Sequence, residues 1–237
     1  MDIENSVALI TGANRGLGRH FAAQLLQRGA SKVYATARDP LSVDLPGVVP
    51  LQLDVTDPDS VAKAARVAPD VTLLINNAGI STHTRLSDGD NRNIRLEMET
   101  HFFGSLEVTR AFAPIIAAHG GGAILNVLSV LSWVHYPDYG AYSAAKAAAW
   151  AMTNVLRQEL ASSKIDVTAL HVGYMDTDMA DYVDKTGKTD PAVVAGLALD
   201  GIQDRALEVV ADDKSRNARA ALSGGLDQLY PGFVAAG

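Results

Sequence analysis

The sequence predicts an α/β fold, a mostly parallel β-sheet with helices packed against it, and three observations carry that prediction. Short apolar runs alternate along the chain with longer stretches of helical periodicity, the pattern left by repeated strand–helix crossovers. Ser6 to Ala37 reads as one complete strand–turn–helix–strand unit of about 30 residues, and such a unit sets its two strands parallel. The run Val71 to Asn76, VTLLIN, is apolar and β-branched without alternation, as expected of a strand covered on both faces. With 237 residues, 48% of them hydrophobic, the chain can bury one large core. No repeat, low-complexity tract or linker marks a boundary, so one domain over 1–237 is expected.

Taken in order, Ser6 to Thr11 (SVALIT) is the first strand and Gly12 to Gly18 (GANRGLG) a glycine-rich turn. Leu17, Phe21, Leu25 and Leu26 then recur at helical spacing as far as Gly29, a helix stop. Lys32 to Ala37 is the second strand. A third strand ends in Pro50 to Val55, and Thr56 or Asp57 caps a helix running from Pro58 to about Val67. After Val71 to Asn76 comes Asn77-Ala78-Gly79. From about Asn91 to Ala118 the spacing predicts the longest helical stretch, with Leu96, Phe103, Leu106, Val108 and Phe112 supplying apolar faces. That surface either completes the core or packs against a second subunit. Gly120-Gly121-Gly122 opens a strand ending at Ser129, and a helix follows from about Ala141 to Ser162. Ile165 to Val172 is the next strand. It leads into Gly173 to Met179 (GYMDTDM), an expected active-site loop because open α/β sheets bind ligands beyond the carboxyl ends of their strands. Thr189 or Asp190 caps a helix beginning at Pro191, and the tail from Arg219 to Phe233 gives no strand signal.

Composition removes several function classes. There is no cysteine, which excludes disulfides, thiolate nucleophiles and cysteine-ligated metals and fits a cytoplasmic protein. The net charge of -7, with no basic run, argues against a nucleic-acid partner. The acidic start MDIENS runs straight into VALI, so no signal peptide is expected, and no apolar run is long enough for a membrane span. None of the six histidines forms a pair at metal-ligand spacing, so no metal is expected.

The chemistry concentrates between Ser129 and Lys146, SVLSWVHYPDYGAYSAAK. Tyr142 and Lys146 lie four residues apart in an alanine-rich helical segment and share a helix face. A phenol, with an ordinary pKa of about 10, needs a neighbour that stabilises its anion before it can act as an acid/base near neutrality, and Lys146 is placed to be that neighbour. Ser129, at a strand end, is a candidate donor to a substrate oxygen on which charge develops, with Ser132 the runner-up. Tyr136 and Tyr139 have no lysine four residues on and read as pocket lining. Leu131, Trp133, Tyr136, Tyr174 and Met175 predict an apolar, partly aromatic substrate pocket, although Trp133 is equally a core residue.

The turn at Gly12, Gly16 and Gly18 suits the approach of a pyrophosphate to a helix N-terminus, but glycines at this spacing are also compatible with a tight turn alone. Where an NAD-binding protein tends to place an acidic residue, this chain has Ala37 and Arg38, and Arg15 lies inside the turn. The two guanidiniums either hold a 2′-phosphate, favouring NADP(H) over NAD(H), or are solvated surface groups. Asp54 is either an adenine contact or a turn former.

Together these pieces resemble the short-chain dehydrogenase/reductase family over nearly the whole chain. Thr11 to Gly18 is similar to its T-G-x-x-x-G-x-G turn, Asn76 to Gly79 matches its N-N-A-G element, Asn126 to Ser129 resembles its serine-bearing strand, and Tyr142 to Lys146 matches Y-x-x-x-K. The resemblance implies a single Rossmann domain, doubly wound, in strand order 3-2-1-4-5-6-7. It implies Tyr142 as general acid/base, Lys146 lowering its pKa and binding the nicotinamide ribose, Ser129 orienting the substrate oxygen, and Thr177 holding the carboxamide. Expected cofactor contacts are Gly12, Asn14, Arg15, Gly16, Leu17, Gly18, Arg38, Asp54, Val55, Asn77, Ala78, Gly79, Tyr142, Lys146, Gly173 and Thr177. A homodimer or homotetramer is implied too.

Three positions depart from the family pattern. His101, in HFFG, stands where the family commonly has an asparagine whose backbone carbonyl holds a water linking the lysine to solvent. It is either a silent replacement or an altered proton relay. Val172 replaces a usual proline, and the C-terminal part lacks the usual T-G strand entry, which puts a seventh strand in doubt. The expected activity is an NADP(H)-dependent carbonyl reductase or alcohol dehydrogenase acting on a hydrophobic ketone, aldehyde or secondary alcohol, with a substrate loop over about 174–190. Competing readings are a non-catalytic NADP(H)-sensing protein and a non-redox, dehalogenase-like enzyme.

Overall fold

The computed structural model describes residues 1–230 and contains one seven-stranded sheet in the order β3-β2-β1-β4-β5-β6-β7. The strands are β1 (Val7–Ile10), β2 (Lys32–Ala37), β3 (Val49–Gln52), β4 (Leu73–Asn76), β5 (Gly122–Val127), β6 (Ile165–His171) and β7 (Glu208–Val210), and every pairing is parallel. The α-helices are α1 (Gly16–Gln27), α2 (Pro58–Val67), α3 (Asn91–Met98), α4 (Ser105–Ala118), α5 (Gly140–Glu159), α6 (Pro191–Gln203), α7 (Asp213–Ala221) and α8 (Leu226–Leu229). The strand order reverses direction between β1 and β4, and such a switch point opens a crevice at the carboxyl ends of the strands.

Period-two alternation sends neighbouring residues to opposite faces and builds two cores. Ala8, Ile10, Leu73 and Ile75 pack with Phe21 of α1 and Leu199 of α6, whereas Leu9 and Leu74 pack with Val61 of α2 and Phe112 of α4. Phe21 and Phe112 are both fully buried, so an alanine at either would cost about 3–5 kcal/mol. Both helix starts that the sequence left between two residues are settled. Asp57 accepts from the Asp59 N–H at the head of α2, and Asp190 from the Ala192 N–H at the head of α6.

Two features differ from the sequence reading. The seventh strand is present: β7 pairs Glu208 with Ala169 and Val210 with His171. It is three half-buried residues at the sheet edge, too short to leave a periodic signal, and it lies upstream of the tail, which folds into α7 and α8. The last part of that tail, from Pro231 through Phe233, lies outside the described residues. The long helical stretch is also not uniform. Between α3 and α4, Glu99–Gly104 forms a π-helical turn, and Gly104 there lies so close to Val55 that a Cβ would approach the Val55 carbonyl oxygen to 2.8 Å. The extra residue of a π turn re-aims the side chains beside it, His101 among them.

Candidate active site

A cleft of about 1170 Å³ lies over the carboxyl ends of the strands. On one side is the turn between β1 and α1. Gly12 and Gly16 have φ of +65° and +51°, values that favour glycine, and a Cβ on Gly12 would meet the Ala78 Cα at 3.0 Å. Asn77 holds the turn in place by donating from Nδ2 to the carbonyls of Thr11 (2.9 Å) and Gly12 (3.0 Å). The Thr11 hydroxyl accepts from the N–H groups of Asn77 and Ala78, both at 2.9 Å. The bare backbone at Gly12 and the α1 N-terminus fit the approach of a diphosphate, as the sequence predicts.

Most of the sequence-predicted cofactor residues meet here. Gly12, Asn14, Arg15, Gly16, Leu17, Arg38, Asp54, Val55, Asn77, Ala78, Gly79, Gly173 and Thr177 all line the cleft, along with Tyr142 and Lys146. Gly18 does not. It is buried in α1 against Gly12 and Asn77, where a Cβ would collide with the Gly12 carbonyl oxygen, so its work is helix-to-turn packing rather than cofactor contact. Arg38 is exposed at the rim and makes no ion pair among the described residues, leaving its guanidinium free. Arg15 pairs with Asp178 at 3.2 Å, both side chains largely exposed. Asp54 accepts from the N–H and hydroxyl of Thr56, the turn-forming arrangement, while still lining the cleft.

The reactive residues come from two places, the end of β5 and the start of α5. Ser129 ends the β5 segment and caps a short helical turn, accepting from the Leu131 N–H at 3.1 Å. Ser132 returns the cap by accepting from the Ser129 N–H, which turns its hydroxyl inward and keeps it off the cleft wall. Tyr142 and Lys146 project from the first turns of α5, with Lys146 Nζ 5.5 Å from the centre of the Tyr142 ring. Lys146 is 5% exposed, and its ammonium donates to the Val127 carbonyl at 2.8 Å. Burial pushes its pKa down to about 8, with the Glu97 carboxylate pulling the other way.

Tyr142 departs from the expected direction. Burial raises its pKa well above the usual phenol value, and the hydrogen bond from Ser129 only partly offsets this. The charges of Glu97 and Tyr182 add to the rise. Desolvation of the phenol sets this direction, with the Lys146 ammonium 5.5 Å from the ring centre.

Leu131, Tyr136, Tyr174 and Met175, the residues expected to bind substrate, line the cleft, and Tyr139 joins them. Trp133 does not. Its ring stacks on His171 with centroids 3.7 Å apart and meets Trp150 edge-on, so it is core beneath the pocket. Two residues escaped the sequence reading. Tyr182 sits in the loop after β6, its hydroxyl 3.1 Å from that of Tyr139. Glu97 is wholly buried and lies 3.2 Å from His101, four residues on, a spacing that could have pointed to it. His101 itself lines the cleft and meets the Tyr142 ring edge-on, centroids 5.1 Å apart. Among the described residues no cluster of His, Cys, Asp or Glu could hold a metal, and no helix is long and apolar enough to cross a membrane.

Comparison with known proteins decides what kind of site this is. The family model for short chain dehydrogenase matches residues 6–188. The chain belongs to the short-chain dehydrogenase/reductase family. These are oxidoreductases, and the seven-stranded parallel sheet is their Rossmann-type fold. A short chain dehydrogenase from Burkholderia cenocepacia J2315, solved in complex with NADP, superposes with a TM-score of 0.94 at 38% identity over 100% of both chains. The dehydrogenase/reductase SDR family protein 7-like of Drosophila melanogaster is 30% identical, covering 88% of this chain and 70% of its own. The NADPH-dependent 1-acyldihydroxyacetone phosphate reductase of Schizosaccharomyces pombe is 36% identical over 75% of this chain and 62% of its own.

Proposed function

We propose that this short-chain dehydrogenase/reductase is an NADP(H)-dependent carbonyl reductase acting on a hydrophobic ketone or aldehyde, with oxidation of the secondary alcohol as the reverse. The observation that carries the reading is the convergence of Ser129, Tyr142 and Lys146 on one cleft with a glycine turn and an unpaired Arg38 at its far end. A guanidinium with no carboxylate partner among the described residues suits a 2′-phosphate; the 38%-identical structure solved with NADP and the NADPH-dependent reductase support NADP(H), while a 22%-identical neighbour was solved with NAD. Bound NADPH supplies the hydride. Ser129 orients the substrate oxygen with its hydroxyl, whose oxygen already accepts from the Leu131 N–H. Tyr142, which burial keeps protonated at neutral pH, donates its proton to the oxygen as charge builds there. Lys146, anchored by the Val127 carbonyl, would hold the ribose of the bound cofactor.

The loop over 174–190 forms the substrate lid, with Tyr174, Met175, Met179 and Tyr182 facing the cleft. Exposed Phe103 on the π turn and Val155 on α5 support assembly as a homodimer or homotetramer, and a cysteine-free chain fits a cytoplasmic location without deciding the compartment. Following NADPH absorbance against a panel of hydrophobic ketones and aldehydes tests the reading. Turnover with NADPH is expected, and no turnover with any member would favour a cofactor-sensing protein instead.

A further inference from the structure

The cleft floor contains a buried acid and base that the proposed reaction does not use. Glu97, on α3, is 0% exposed, and His101, on the π turn, is 2% exposed. The His101 Nε2 lies 2.8 Å from the Ile80 carbonyl oxygen and 3.2 Å from a Glu97 carboxylate oxygen. The Ile80 N–H also approaches Nε2, at 3.4 Å, but the two oxygens lie closer, and the ring proton is assigned to Nε2 on that ground. The other carboxylate oxygen accepts from the Thr82 N–H at 2.6 Å and the Thr82 hydroxyl at 2.9 Å. Glu97 is thus bonded firmly at one oxygen, by Thr82, while its other oxygen faces His101 Nε2 at 3.2 Å without a well-formed hydrogen bond, and no arginine or lysine bonds to it among the described residues.

The far side of the imidazole is less satisfied. His101 Nδ1 is buried with no hydrogen-bond partner, a condition that in a native fold calls for an explanation. The ring's Cε1 and Nδ1 edge packs on Gly79, where a Cβ would come within 2.7 Å of Cε1, and one ring face meets Tyr142. A pair that served packing alone would be cheaper as two apolar side chains, because buried polar groups cost free energy unless fully bonded.

We propose that Glu97 and His101 are positioning residues for the reaction at Tyr142: the carboxylate holds the imidazole against the phenol, and its charge sets the pH at which Tyr142 and Lys146 exchange their proton. The groups that face the pair are few. Helix α5 presents Tyr142 and Lys146, the segment after β4 presents the Ile80 carbonyl and Thr82, and Tyr142 in turn feels Ser129 and, electrostatically, Tyr182 of the loop after β6. Neighbouring Arg95 and Glu99 on the same helical stretch are exposed. The electrostatics run in the same sense as the geometry. The Glu97 carboxylate raises the proton affinity of both Lys146 and Tyr142, and Lys146 lowers that of His101, whose burial already keeps it neutral.

The inference rests on the carbonyl-reductase reading for its kinetic test but not for its spectroscopic one. In Glu97→Gln the amide retains the size and an acceptor for Thr82 but loses the charge. The pH at half-maximal kcat is expected to move down by half a unit or more in both reaction directions, with KM changed less than twofold, and Glu97→Asp is expected to restore the original profile. A folded, active Glu97→Gln enzyme with an unmoved profile would overturn the proposal. The second test needs neither turnover nor a Glu97 variant. Nitrogen-15 NMR titration of His101 should find the neutral Nε2–H form at neutral pH in the unaltered protein, and a higher His101 pKa in Lys146→Met. The same His101 pKa in both proteins would overturn the coupling, and this readout survives if no carbonyl substrate is turned over.

Discussion

Replacing Lys146 with Met removes a buried ammonium that the fold holds at a cost. Its pKa falls from 10.5 to about 8, chiefly through burial, and that difference disfavours the charged form by roughly 3 kcal/mol. Against this, the variant loses the 2.8 Å bond to the Val127 carbonyl, worth about 1–2 kcal/mol. At pH 7 the cofactor-free variant is therefore expected to be more stable than the parent by about 1–2 kcal/mol. Because the folded pKa lies below the unfolded one, the unfolded chain binds more protons between about pH 8 and 10.5, and the parent gains stability as pH rises through that window. The advantage of Lys146→Met should shrink by about 2 kcal/mol by pH 10 and reverse in sign. Urea unfolding of both proteins at pH 7 and pH 10, at one protomer concentration, measures the gap directly. A gap that is the same at both pH values would refute the claim that Lys146 is held desolvated beside Tyr142.

Other outcomes follow from the same geometry. Arg38→Asp, which removes the unpaired guanidinium at the rim, should shift the NADPH/NADH affinity ratio about tenfold or more toward NADH by fluorescence titration, and an unchanged ratio would reject the 2′-phosphate assignment. Gly18→Ala puts a methyl group onto the Gly12 carbonyl and Asn77, and should cost at least ~2 kcal/mol by urea unfolding while weakening NADPH binding. An alanine variant of parental stability would mean that the turn can shift to accept a Cβ.

Much of this architecture was legible because its signals are local. The turn at Gly12 to Gly18 sits between an apolar run and a helical one, and Pro58 and Pro191 each follow an aspartate that proves to be the cap. The reactive spacing of Tyr142 and Lys146 needs only one helical turn. What was missed depends on tertiary placement. Glu97 lies in NRNIRLEMETH, a polar stretch that reads as a solvated helix face, yet it is wholly buried because Thr82 and His101 close over it. Trp133 is two residues from a true pocket residue, Leu131, and only the helical turn after Ser129 sends its ring to His171 instead. Gly18 belongs to the glycine motif but serves packing. The direction of the Tyr142 shift was missed for a related reason, since spacing reveals a lysine neighbour but not how much water the fold removes from the phenol.

The central claim is that Tyr142 gives the proton, and the most direct measurement compares Tyr142→Phe with the parent enzyme in both NADPH affinity and carbonyl turnover. Unchanged NADPH binding with turnover reduced by a factor of about 10² or more is the predicted result. Turnover within a few-fold of the parent would contradict it and move the acid to another group in the cleft.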